Sequence, residues 1–104
     1  MIARLWTGAV PGSRSDRYLE YLQKTGVQEC RATPGNRGVY VFRRVADGRA
    51  EFLFISLWQS LEAIKAFAGS DVDNAVYFPE DRDFLLEMDP RVRHYEVCVA
   101  EATK

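Results

Sequence analysis

Gly38-Val39-Tyr40-Val41-Phe42-Arg43-Arg44-Val45, then Ala46-Asp47-Gly48, then Arg49-Ala50-Glu51-Phe52-Leu53-Phe54-Ile55-Ser56-Leu57-Trp58 is the stretch that decides the fold. Two runs rich in β-branched and aromatic residues flank an Asp-Gly pair. Asp-Gly is favoured where two consecutive residues must turn with positive φ, so the stretch reads as a β-hairpin. Side chains on a strand alternate between faces. One face of the second strand then carries Leu53, Ile55 and Leu57; the other carries Phe52, Phe54 and Trp58, interrupted by Ser56. In the first strand Val39 and Val41 share one face, Tyr40 and Phe42 the other. The hairpin is therefore apolar on both sides, whereas an antiparallel sheet of a lone domain usually has one wet face.

Upstream, Ile2 to Val10 reads as a strand ended by Pro11-Gly12. Ser13 with Asp16 has the form of a capping box, and Tyr18, Leu19 and Leu22 follow at helical spacing. Gly26 is the expected stop, and Val27 to Arg37, with Pro34-Gly35-Asn36, reads as a loop. Downstream, Ser60 should cap a second helix with Leu61, Ile64 and Phe67 along one side and Gly69 at its end. Asp71 to Phe78 has no decided pattern. Pro79 opens an expected short third helix with Phe84, Leu85 and Met88 on its apolar side, closed by Pro90. Val92 to Ala100 reads as the last strand and Glu101 to Lys104 as a frayed tail. The order β-α-β-β-α-(α)-β is the split β-α-β plan of ferredoxin-like α+β domains, an antiparallel sheet with helices on one face.

The 104 residues suit one domain, residues 1-104, with no linker, repeat or low-complexity segment. A core of this size leaves apolar surface to be covered. Burying one large apolar side chain contributes about 1.5–3 kcal/mol. A second copy is the simplest cover for the other sheet face, giving a homodimer in the form of a dimeric α+β barrel. The 14 basic and 15 acidic residues are interspersed and give a net charge of -1. This argues against nucleic acid and anionic membrane as partners. No apolar run is long enough to span a bilayer, and the N-terminal residues lack a secretory pattern, so the expected location is the cytoplasm. Cys30 and Cys98 show no metal or redox spacing. Cys98 lies in an apolar stretch and reads as a small core residue, with Cys30 the more exposed.

The element order, the doubly apolar sheet and the stretch Ile55-Ser56-Leu57-Trp58-Gln59-Ser60-Leu61-Glu62-Ala63-Ile64-Lys65-Ala66-Phe67 resemble the antibiotic biosynthesis monooxygenase-like domains of the dimeric α+β barrel group. That resemblance implies a pocket between sheet and helices in each subunit. For substrate binding it points to Trp6, Trp58, Phe67, Asn74 and Phe78. For catalysis it points to Tyr77 and His94, the latter being the only histidine. His94 has the chemistry of a base or of an axial haem ligand, and equally of a hydrogen-bonded residue in a sheet. Trp58 and Trp6 suit a pocket floor or plain packing. The haem-degrading branch relies on an asparagine on the first strand and a tryptophan and a histidine around the second helix; approximate matching places Thr7, Phe67 and Val76 there. The quinol-oxidising branch uses a tyrosine, a tryptophan, an asparagine and an arginine around the substrate; Tyr77, Trp58 and Asn74 are of the first three types.

Three readings follow. The first is a monooxygenase-like protein that needs no cofactor and acts on a small aromatic, quinol-type ligand. The second is a haem-binding or haem-degrading protein. The third is a non-enzymatic small-ligand or interaction module. No phosphate loop, nucleophile elbow or metal-ligand spacing points elsewhere. Glu80-Asp81-Arg82-Asp83 reads as the charged first turn of a helix.

Overall fold

A computed structural model describes residues 1–101. The strands are β1 (Ile2–Pro11), β2 (Asn36–Ala46), β3 (Arg49–Trp58) and β4 (Arg93–Glu96). They form one antiparallel sheet in the order β2-β3-β1-β4. The helical segments are α1 (Ser15–Leu22), a π-turn (Gln23–Val27), α2 (Gln28–Ala32), α3 (Leu61–Ala68) and α4 (Asp81–Phe84). They cover one face of the sheet, as the ferredoxin-like plan requires.

The hairpin turns at Asp47 (φ 54°) and Gly48 (φ 75°), two consecutive positive-φ residues as the Asp-Gly signal requires. Its register places Phe52, Phe54, Ser56 and Trp58 on the inner face, where all four are buried. Tyr18 from α1, Cys30 from α2 and Ile64 from α3 pack onto them to complete the core. Leu53, Ile55 and Leu57 point the other way beside Tyr40 and Phe42. Those two rings stack at 6.1 Å and are 56% and 52% exposed, so the outer face is apolar and open to solvent.

Four local expectations change. Ser13 makes no cap; it lies exposed in a 3₁₀ turn, and α1 starts at Ser15 with no side-chain cap bond. Gly26 does not end the helix. The chain widens into the π-turn and stays helical to Ala32, where the turn at Thr33-Pro34-Gly35 stops it, so much of the expected loop is helix and β2 begins at Asn36. Gly26 is needed for close approach rather than for termination, since a Cβ there would lie 3.2 Å from the Phe54 ring. Helix α4 is a single turn, and Met88 lies exposed beyond it. The last strand ends at Glu96, not Ala100. Among the described residues it pairs with β1 alone, which begins at Ile2 opposite Glu96, and a single backbone bond, Val97 to Met1, follows.

Ser60 caps α3 as expected, accepting from the Ala63 backbone N–H at 3.2 Å. The two cysteines exchange roles. Cys30 is wholly buried and Cys98 exposed, because α2 faces the sheet while residue 98 lies beyond the strand's last partner. The expected tail lies, from residue 102 on, outside the described residues. No helix among the described residues is long and apolar enough to cross a membrane.

Candidate functional site between sheet and helices

Alternation along β1 sends Ile2, Arg4, Trp6, Gly8 and Val10 to the inner face, opposite the Trp58–Ala50 positions of β3. Arg4 and Trp6 therefore point under the helices. With Phe54 and Ser56 of β3, Tyr18 and Leu22 of α1, Gly26 of the π-turn, and Phe67 of α3, they line a partly open cavity of about 40 Å³. Val76, Tyr77 and Phe78, from the segment after α3, close it, and Asp81 of α4 completes the wall. A volume of this size holds about three or four water molecules, by the rule that about 10–15 Å³ of such space holds one.

Of the residues singled out in the sequence, Trp6, Phe67, Tyr77 and Phe78 meet at this cavity. The Trp6 indole N–H donates to the Tyr77 hydroxyl at 3.1 Å, and the two rings sit edge to face at 6.2 Å. The Tyr77 hydroxyl in turn donates to the Asp89 carbonyl at 2.5 Å. Burial pushes the Tyr77 phenol above its ordinary range, with the Trp6 hydrogen bond working against it. Trp58 lies one layer deeper: wholly buried, it donates to the Ser56 hydroxyl at 2.8 Å and packs on Phe67 at 5.8 Å. Asn74 is exposed, bonding Arg91 through its side chain and Arg4 through its carbonyl. Thr7 is on the outer face and exposed.

His94 stands opposite Arg4 across the β1–β4 pairing. Its Nε2 lies 3.1 Å from an Arg4 Nη, and its Nδ1 lies 3.2 Å from an Asp73 carboxylate oxygen. Arginine only donates, so Nε2 accepts and the proton sits on Nδ1, facing Asp73. The lone pair that a base would use is directed at Arg4. Burial, and then the Arg4 charge, lower the imidazole pKa, with Asp73 opposing. A histidine whose folded pKa is depressed contributes stability above the ordinary imidazole pKa and loses it as pH falls through the lowered value. Urea unfolding of the wild type should accordingly weaken on mild acidification, and His94→Gln should flatten that part of the profile. Superimposable profiles would show that His94 carries no such linkage.

Sequence reasoning passed over the two most deeply buried charges at the site. Arg4 is 4% exposed and Asp81 3%. Asp81 accepts from the Tyr18 hydroxyl at 2.8 Å on one oxygen and from the Phe78 backbone N–H at 2.6 Å on the other. Burial raises its carboxyl pKa, with those two bonds opposing. Tyr18 is pushed far above the usual phenol range by burial and by Asp81, so it remains a donor. A charged residue at position 4, in phase with Ile2 and Trp6, was the sequence signal for the first. Nothing local marks the second, because its partner Tyr18 lies 63 residues earlier.

The sequence model of the antibiotic biosynthesis monooxygenase family matches residues 1–74, and the chain belongs to that family. The match covers β1 through α3 and ends before Tyr77, Asp81 and His94. No curated protein matches the chain. Among solved structures, the chain is similar to a protein from Bacillus cereus described as an antibiotic biosynthesis monooxygenase, with TM-score 0.68, 21% identity, and 100% of this chain and 97% of that one covered. A protein from Nitrosomonas europaea with the same description gives TM-score 0.67 at 13% identity, over 95% and 100% of the two chains. The haem-degrader MhuD from Mycobacterium tuberculosis, in a structure with two haems bound in its active site, gives 0.60 at 16% identity, over 98% and 100%. At these identities the likeness is one of fold.

The residues at this cavity do not fit haem. Phe67 and Val76 line it without a ligating atom, and Thr7 faces away. His94 directs Nε2 at Arg4. The hydroxyls of Tyr18 and Tyr77 are engaged, and both phenols are held in the protonated form.

Proposed function

We propose that the domain is a cofactor-independent monooxygenase of small aromatic, quinol-type substrates. The observation that carries this reading is Asp81, a buried carboxylate in the wall of an aromatic cavity. An ionised carboxylate has roughly four lone-pair sites, and two are engaged among the described residues. Its raised pKa brings it nearer the range in which a carboxylate is an effective base. In this scheme Asp81 takes the phenolic proton of the substrate. The resulting electron-rich anion reduces dioxygen. One oxygen atom enters the ring, giving a quinone, and the other leaves as water with the two hydrogens that the substrate loses. The substrate supplies all the electrons, so no other reductant is needed. Trp6, Phe54, Phe67 and Phe78 would hold the ring, and Tyr77, through Trp6 and Asp89, would fix the cavity's mouth. His94 serves in this reading as a positioning residue for Arg4.

The test is oxygen uptake by metal-free protein over a panel of quinols and hydroxynaphthalenes. Enzyme-dependent uptake with one quinone formed per dioxygen supports the reading. The cavity's small volume favours the competing one, a non-enzymatic module filled by its own side chains. No uptake across the panel would leave that one standing.

The subunit proposed here works as a homodimer in the cytoplasm, where Cys30 and Cys98 stay reduced. The exposed outer face supports the dimer: Tyr40, Phe42 and Tyr95 are all about half exposed. A groove of about 760 Å³ crosses the Phe42 and Leu53 end of that face toward Glu87–Asp89. Sedimentation equilibrium should give twice the chain mass at micromolar concentration, and Tyr40→Lys with Phe42→Glu should give the single mass. A wild-type protein that sediments as one chain would sink the dimer.

A further inference from the structure

Arg4 is a buried guanidinium that touches no carboxylate among the described residues. Its Nη1 donates to the Val72 carbonyl and faces His94, and its Nη2 donates to the Asn74 carbonyl at 2.6 Å. Its guanidinium carbon lies 5.8 Å from the centre of the Phe67 ring. All of these partners are neutral. None of the ion pairs among the described residues includes Arg4. Asp73 acts on it electrostatically from behind the His94 ring, without a direct contact, and Asp81, in the same cavity wall, is held by Tyr18 and Phe78 instead. A buried charge without an opposite charge is costly. Securing residues 72–74 needs only carbonyl-directed donors, not a permanent cation lining a cavity. Guanidinium offers five N–H donors in a planar fork suited to carboxylate, and the bonds above leave some of them unengaged.

We propose that the cavity takes an aromatic acid anion, its carboxylate on Arg4 and its ring against Phe67 and Trp6. This names the substrate class of the site described under the proposed function and shares its cavity, but it concerns binding and requires no turnover. The cavity's space of about 40 Å³ is smaller than an aromatic ring, so lining side chains must shift to admit one.

The experiment is calorimetric titration of the full chain under nitrogen with benzoate and with its neutral isostere benzamide, alongside Arg4→Met and Arg4→Lys. The expected result is that benzoate binds at least about tenfold tighter than benzamide, as a charge-assisted pair implies. In Arg4→Met the two should bind alike, and in Arg4→Lys the preference should shrink, because an ammonium lacks the fork. Equal affinities in the wild type, no binding of either probe, or a preference untouched in Arg4→Met would overturn the proposal. Should Arg4→Met not fold, Arg4→Lys decides: a reduced preference supports the site and an unchanged one removes it. A clear benzoate preference with no oxygen uptake on any quinol would dispose of the oxygenase reading and leave the anion site intact. Uptake confined to neutral quinols, with no benzoate preference, would do the reverse.

Discussion

Asp81→Asn is expected to lower kcat for quinol oxygenation by about 10²–10⁴-fold, the usual contribution of a positioned base, with KM changed little. Asparagine keeps the shape and can still accept from the Phe78 N–H through its carbonyl and donate to the Tyr18 hydroxyl through its amide. What it loses is the ability to take a proton. The stability effect runs the other way. Burial raises the Asp81 pKa in the folded state, so the ionised form is the disfavoured one. The stabilising difference is present when the group is protonated and is lost as pH rises through the folded pKa. The variant should thus melt at the wild-type temperature or above it near neutral pH, and the two should converge on acidification. Thermal melts beside single-turnover rates separate the two roles. A variant that is inactive and also much less stable at every pH would reveal Asp81 as a latch between α1 and α4, and the proposed base would fall.

The second large effect is on stability. Trp58→Ala should cost about 3–5 kcal/mol, the range for removing a fully buried large aromatic. Trp58 is 0% exposed, rests on Phe67, and gives its indole N–H to Ser56. Domains of this kind have total stabilities of about 5–15 kcal/mol, so the alanine variant should sit near or past its unfolding midpoint in moderate urea. Trp58→Phe, which keeps most of the apolar surface, should lose much less. It should also retain oxygenation within a few-fold, since Trp58 is not in the cavity wall. A large loss of turnover in a stable Trp58→Phe would return this residue to the substrate.

What was legible in the sequence was what neighbouring residues determine together. Asp47-Gly48 fixed the hairpin because both positions need positive φ, and alternation on either side then distributed Phe52, Phe54 and Trp58 against Leu53, Ile55 and Leu57. Ser60 and Gly69 bounded α3 through short-range capping. What failed was set at long range. Gly26 has the local character of a helix stop, yet packing against Phe54 selects it for absence of a side chain, and the helix runs on. The final strand's length depends on where β1 begins, not on its own apolar pattern. At the site, the family resemblance pointed to the aromatics Trp6, Phe67, Tyr77 and Phe78, and the structure places these four at one cavity. His94 was singled out for its chemistry, but its surroundings direct its lone pair to Arg4. Asp81 looked like an ordinary solvated charge in a helix's first turn, and only the approach of Tyr18 from α1 buries it.

The five-residue π-turn at Gln23–Val27 sits between two anchored ends, α1 held by Tyr18 and α2 by Cys30. Irregular turns of this kind are frequent beside functional sites. Here the wider turn carries Gly26, whose missing side chain lets the helix rest on the Phe54 ring and leaves the cavity its room.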